Sequence, residues 1–220
     1  MPILTNKGKI LIPQLFGQIS RYILVAAAGG RVAVAPGQPY NKRMKQVHRY
    51  TIADANGIMD LTVPVEKPLS AKKATWNSVR ISRHGEWWNV HRTALESAYG
   101  RTPFFEFYID RLLPFMDSDT PDRFSSIAEL AVESEKKVLE ILSLPQPAIS
   151  PENADCFPGE NIELPPYWQL RQDRFGFIPD LSILDLIFSL GPESALYIDR
   201  LKDNPLFAGS LKAGAKPENN

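Results

Sequence analysis

KILIPQLFGQISRYILVAAAGGRVAVAPG, residues 9–37, decides how this chain begins to fold. Ile10, Leu11 and Ile12 form a short apolar run ended by Pro13, the pattern of a buried strand. Leu15, Ile19, Tyr22, Ile23 and Ala26 then recur at helical spacing. Gly29-Gly30 stops that helix, because glycine enters the left-handed region without a side-chain clash. Residues 31–35 resume as a strand, closed by Pro36-Gly37. Strand, helix, strand is a βαβ unit, which makes its two strands parallel.

A leader peptide is the competing reading of this stretch. Lys7 and Lys9 precede the apolar residues, and Ala33-Val34-Ala35 resembles a cleavage site. But Pro13, Gln14, Gln18, Ser20 and Arg21 interrupt the run, so it lacks an unbroken signal core. No stretch approaches the roughly 20 apolar residues that span a bilayer, so no membrane span is expected.

Moving outward, 50–52 and 61–65 flank Asp54-Ala55-Asn56-Gly57. Asn-Gly between two β-prone runs is a hairpin signal. Val79-Arg80-Ile81 offers one more strand. From Glu86 the pattern turns helical, with Trp87, His91, Leu95 (or Ala94) and Ala98 on one face. Thr102-Pro103 reads as the cap and first position of a second helix, whose core face is Phe105, Tyr108, Ile109 and Leu112. Ser126 and Glu129 make a capping box for a third helix over 126–142. Residues 145–166 hold six prolines and read as a long surface connection. A helix over 166–174 stopped by Gly176 follows. Ser182 and Asp185 repeat the capping box, with Leu181 and Leu186 as the hydrophobic staple. Gly191-Pro192 separates that helix from the last one, and residues 208–220 read as a disordered tail. The expected class is α/β: an N-terminal βαβ unit plus a β-hairpin forming a small mixed sheet, packed with a mainly helical C-terminal half. Residues 1–207 are expected to make a single domain.

The 220 residues suffice for one full hydrophobic core. Lys plus Arg equals Asp plus Glu at 25 each, and a net charge of zero argues against broad binding to nucleic acid or an anionic membrane. One cysteine, Cys156, permits no intrachain disulfide and fits a reducing, cytoplasmic setting. The spacing of His48, His84 and His91 matches no metal site, and no nucleotide-binding glycine motif is present. No metal and no cofactor is therefore expected.

Within this neutral chain, Tyr40-Asn41-Lys42-Arg43-Met44-Lys45-Gln46-Val47-His48-Arg49 gathers five basic groups, counting His48. On an extended segment, alternate members share a face that would hold a phosphate, diphosphate or carboxylate. A solvated edge strand guarded by lysines explains the same run. His91, beside Trp87 on an apolar face, is a candidate general base or a core histidine with a backbone partner. The aromatic concentration at Trp87, Trp88, Phe104, Phe105, Phe107 and Tyr108 reads mostly as core.

Three stretches together resemble the WbqC-like protein family. The first includes Tyr40-Asn41-Lys42, Arg49, Ala55-Asn56-Gly57 and Leu61-Thr62-Val63-Pro64-Val65. The second includes Trp87, His91, Ser97-Ala98-Tyr99 and Pro103-Phe104-Phe105-Glu106-Phe107-Tyr108. The third runs from Phe175-Gly176-Phe177-Ile178-Pro179-Asp180-Leu181-Ser182 through Asp185-Leu186 to Gly191-Pro192-Glu193. Members are bacterial, and some are encoded in O-antigen and other surface-polysaccharide clusters. The resemblance thus implies a transferase that modifies a sugar or sugar precursor with an acyl or aminoacyl group such as glycine. In that reading Tyr40, Lys42, Arg49, Asn56 and Asp180 bind an anionic or sugar substrate, and His48 or His91 takes the acceptor's proton. The alternative is a non-catalytic binding or scaffolding protein of a cell-envelope pathway, in which each motif is structural. The oligomeric state is not legible.

Overall fold

The computed structural model describes residues 9–29, 31–70, 72–151 and 164–204. The N-terminal unit forms as its pattern implies. β1 (Lys9–Leu11) leads through a connection to α1 (Ile19–Ala28) and then β2 (Val32–Val34), and β1 and β2 pair in parallel. Gly29 ends α1 in the left-handed region at φ 55. Leu15 belongs to the connection rather than the helix, although it is fully packed away.

β3 (Arg49–Asp54) and β4 (Gly57–Thr62) make the antiparallel hairpin. Its loop is Ala55-Asn56, and Gly57 supplies the positive φ of 114, so Asn56 does not need the left-handed region. The Asp54 carboxylate accepts the Asn56 backbone N–H and closes the turn. The mixed α/β architecture is present, with the parallel and antiparallel strands hydrogen-bonded in two separate sheets. Ile81 makes only an isolated bridge to Val65, in place of a further strand.

The helical half follows with α2 (Trp87–Tyr99), α3 (Phe105–Leu112), α4 (Thr120–Arg123) and α5 (Ile127–Ile141). Thr102 does not cap α3. Its hydroxyl donates back to the Tyr99 carbonyl, and Phe104 occupies the cap position. Ser126 caps α5 by accepting from Glu129 N–H, while the Glu129 side chain binds Ser125 instead of closing the box on Ser126.

In the proline-rich stretch, β5 (Ala148–Ile149) adds to β2 in parallel, making the order β1-β2-β5. Two exposed residues carry no periodicity, so this strand is illegible in the sequence. The middle of that stretch, Cys156 and the tail 208–220 lie outside the described residues. The helix expected over 166–174 shrinks to α6 (Gln172–Phe175). α7 (Ile183–Leu190) and α8 (Glu193–Leu201) are the last helices among the described residues. Ser182 caps α7 through Leu184 N–H, and Leu181 and Leu186 are buried beside it. Among the described residues no helix is long and apolar enough to cross a membrane.

Apolar side chains from the βαβ unit, the hairpin and α2, α3, α5, α7 and α8 join one hydrophobic cluster. α1 is buried around nearly its whole circumference, including Ser20 and Arg21. An arginine so placed needs a partner, and Glu135 of α5 supplies it bidentately at 2.5 and 2.9 Å.

Candidate functional site

Three segments that are distant in sequence meet beside the N-terminus of α1, and Ser182 ties them together. Its N–H donates to Thr51 O of β3, and its hydroxyl donates to Phe16 O of the β1–α1 connection. Its position at the start of α7 fixes the third segment. The Leu15 N–H donates to Gln46 O, which straps the basic segment to the same connection.

These ties enclose a cleft of about 290 Å³. One wall is the connection, with Gln14, Gly17 and Gln18. The facing wall is Lys45, Gln46 and Arg49, with Tyr50, Thr51 and Asp60 of the hairpin between. The run 45–49 is not extended as expected: residues 45–47 form a single 3-10 turn, and β3 begins at Arg49. The turn carries Lys45 and Arg49 to one cleft, four positions apart.

The charges are unevenly partnered. Arg49 donates through Nε to Thr62 Oγ1 at 2.8 Å and through Nη1 to Asp60 Oδ2 at 2.9 Å. The other Asp60 oxygen accepts from Thr51 Oγ1 at 2.8 Å. Lys45 has no carboxylate partner among the described residues. The cleft therefore carries two cations against one anion and favours a negatively charged ligand group.

Of the residues expected to form a site, only Arg49 lines this cleft. His48 is buried behind it, with Nδ1 3.0 Å from Val63 O, and burial lowers its pKa. His91 is buried in α2 and bonds Tyr50 OH through Nδ1 at 3.1 Å. Burial pushes its pKa down to about 4, against an opposing pull from the Thr62 backbone. His91 thus reaches the cleft indirectly, by orienting the tyrosine in its wall. Tyr40 packs edge-on against Trp76, and Lys42 is exposed outside the lining. Asn56 sits in the hairpin loop. Asp180 bonds the first turn of α1 with both oxygens. It faces the helix, not the cleft.

Sequence reasoning does not single out Gln14, Lys45 or Asp60. Gln14 figures there only as a break in an apolar run, Lys45 only as one member of the basic run, and Asp60 lies just before the expected strand 61–65. The usable signal is the placement of a glutamine directly after a buried strand, where an apolar residue would continue the core. Among the described residues no three His, Cys, Asp or Glu side chains gather as a metal site would require.

No curated protein and no solved structure matches this chain. A family model does, the WbqC-like protein family, over residues 39–162. The matched stretch holds Lys45, Arg49, Tyr50 and Asp60 of the cleft, whereas Gln14 and Ser182 lie outside it. It covers more than half of the 220 residues, and the chain belongs to the WbqC-like protein family.

Proposed function

We propose that the cleft binds a sugar or sugar precursor carrying a negative charge, and that the chain is a transferase modifying it in bacterial surface-polysaccharide biosynthesis. The observation that carries this reading is the convergence of Lys45 and Arg49 on one hollow whose remaining polar groups are mostly amides and hydroxyls. Cations hold the charged group, with Arg able to fork onto two oxygens. Amides and hydroxyls suit the alternating donors and acceptors of a sugar ring. Membership of the WbqC-like family supports the direction.

In acyl or aminoacyl transfer, glycine being one example, the acceptor's oxygen or nitrogen forms the new bond to the acyl carbon. The donor's leaving group departs with its electron pair, and the acceptor's proton passes to a base. Asp60 is the carboxylate in the lining. His48 and His91 stand one layer behind, against Arg49 and Tyr50. A second reading, a non-catalytic binding protein of a cell-envelope pathway, is favoured by that set-back position of both imidazoles.

The test is calorimetric titration of purified protein with UDP-glucose, glucose 1-phosphate and glucuronate, repeated with Lys45→Ala and Arg49→Ala. Binding of at least one, weakened about tenfold or more by each variant, is expected for charge-assisted contacts. Affinity indifferent to both substitutions would remove the cleft as the site. Turnover with a bound ligand, followed by mass spectrometry of the products, separates the transferase from the binding protein.

A further inference from the structure

Gln14 is only 6% exposed, yet it lines the cleft, and its carboxamide makes no hydrogen bond within the protein among the described residues. The amide atoms are not sealed from solvent, so the carboxamide opens onto the cleft with its hydrogen-bonding capacity unused by the protein. Among the neighbouring lining groups Ser182, Thr51, Asp60 and Arg49 are each bonded as described above, whereas the Lys45 ammonium and the Gln46 carboxamide, like Gln14, make no side-chain bond among the described residues.

The connection also makes room for this amide. A Cβ added at Gly17 would lie 2.7 Å from Gln14 Oε1 and 2.9 Å from Arg21 Cδ. Arg21 cannot move aside freely, because Glu135 holds its guanidinium through two hydrogen bonds. Gly17 therefore lets the Gln14 side chain fold back against the backbone and expose its amide to the hollow. Phe16 precedes it in the left-handed region at φ 42, a conformation that disfavours a bulky residue. The Ser182 hydroxyl holds its carbonyl there.

We propose that Gln14 is a specificity-determining residue of the cleft, its free carboxamide pairing with neighbouring hydroxyls of a sugar ring whose single negative charge is taken by Lys45 and Arg49. This rests on the reading of the cleft as a binding site and assigns its ligand class. The single charge follows from the lining: Lys45 and Arg49 against Asp60 leave one positive charge over. The hydroxyls follow from the amide, which offers a donor and an acceptor side by side, as two adjacent hydroxyls do. A site built to bond a hydroxyl discriminates strongly against an analogue lacking it, since its own polar group is then left unpaired.

The experiment compares glucuronate with cyclohexanecarboxylate, an anion of the same charge on a ring of similar size without hydroxyls. Both are titrated into the wild-type chain, Gln14→Leu, Gln14→Met, Gly17→Ala and Lys45→Ala, with thermal unfolding monitored in parallel. The wild type is expected to prefer glucuronate by about tenfold or more. Gln14→Leu is expected to erase the preference while leaving cyclohexanecarboxylate binding within about twofold. Gly17→Ala leaves φ unstrained but crowds both the amide and the tethered Arg21, so it is expected to reduce the preference at a cost in unfolding temperature. Gln14→Met, of similar length without the amide, is expected to repeat Gln14→Leu and serves if that variant does not fold. Lys45→Ala should weaken both anions together. Equal losses for both ligands in Gln14→Leu, or an unchanged preference, would overturn the role of Gln14 while leaving the cleft intact. Failure of the wild type to bind glucuronate would overturn the ligand class. Binding of every anion untouched by Lys45→Ala would instead defeat the cleft reading itself.

Discussion

Asp180 serves the first turn of α1 from 160 positions further along the chain: its Oδ1 accepts the Ser20 N–H at 2.8 Å and its Oδ2 accepts the Ser20 hydroxyl at 2.9 Å. The helix's own cap residue, Gln18, makes no side-chain cap bond, so a distant carboxylate supplies what a local one normally would. The same contact pins the loop before α7 against the βαβ unit. That explains why a Pro179-Asp180-Leu181-Ser182 run far from the basic segment helps to shape its cleft.

Replacing Asp180 with Ala is accordingly expected to destabilise the fold by about 1–2 kcal/mol, the usual range for a lost helix cap. Asp180 also has φ 53, a conformation that Asn tolerates better than Ala. Asp180→Asn, which keeps one acceptor, should therefore cost clearly less. Urea unfolding of both variants measures this, and equal losses would show that the carboxamide cannot stand in for the carboxylate.

The Arg21–Glu135 pair makes a sharper prediction. Both side chains are about 3% exposed, so removing one partner leaves a buried charge uncompensated. Glu135→Gln should cost about 3–5 kcal/mol, as such single removals do. The double variant Arg21→Met with Glu135→Leu should recover most of that loss, because apolar residues of similar volume need no partner. Chemical denaturation of the single and double variants decides it. A double variant as unstable as the single would mean that the pair contributes more than mutual neutralisation.

The legibility of the chain divides along physical lines. The βαβ unit, the hairpin and α7 declare themselves through local signals: apolar periodicity, Gly29, Asn56-Gly57 and the Ser182 cap. β5 does not, because a two-residue exposed strand is made by pairing with β2 and not by its own composition. The α3 start fails for a similar reason. Thr102 has a nearer partner in the Tyr99 carbonyl than in the helix ahead of it. For the candidate cleft, the run 40–49 supplies Lys45, Gln46 and Arg49 to the lining, and Arg49 is the one expected site residue that reaches it. The remaining lining depends on long-range contacts. Gln14 meets Arg49 only because the connection is strapped to both the basic turn and α7, and no residue spacing encodes that. Polar residues within an otherwise buried helix are the signal that carries further than periodicity. Ser20 and Arg21 break an apolar pattern because each has a distant carboxylate to meet.

His91 ties the cleft wall to pH. Its ordinary pKa of 6.5 is lowered to about 4 by burial, so the folded chain holds it neutral, hydrogen-bonded to Tyr50 OH. The unfolded chain protonates first as pH falls. The sign is therefore fixed: the stability from neutral His91 is complete above pH 6.5 and is lost progressively as pH drops toward 4. His91→Gln, which keeps a polar group near Tyr50 but does not titrate, should be less stable than the wild type at pH 7.5. The gap should narrow as pH falls through that window. His48 is also lowered by burial, but it titrates in both proteins and cancels from the difference. Urea unfolding at pH 7.5, 5.5 and 4.5 measures the gap, and two parallel stability curves would refute a neutral, buried His91. Because Tyr50 lines the cleft and His91 does not, glucuronate affinity should weaken in His91→Gln through the tyrosine alone. A proton acceptor would instead leave affinity intact and lower turnover, so comparing the two readouts shows whether His91 positions the tyrosine or takes part in the chemistry.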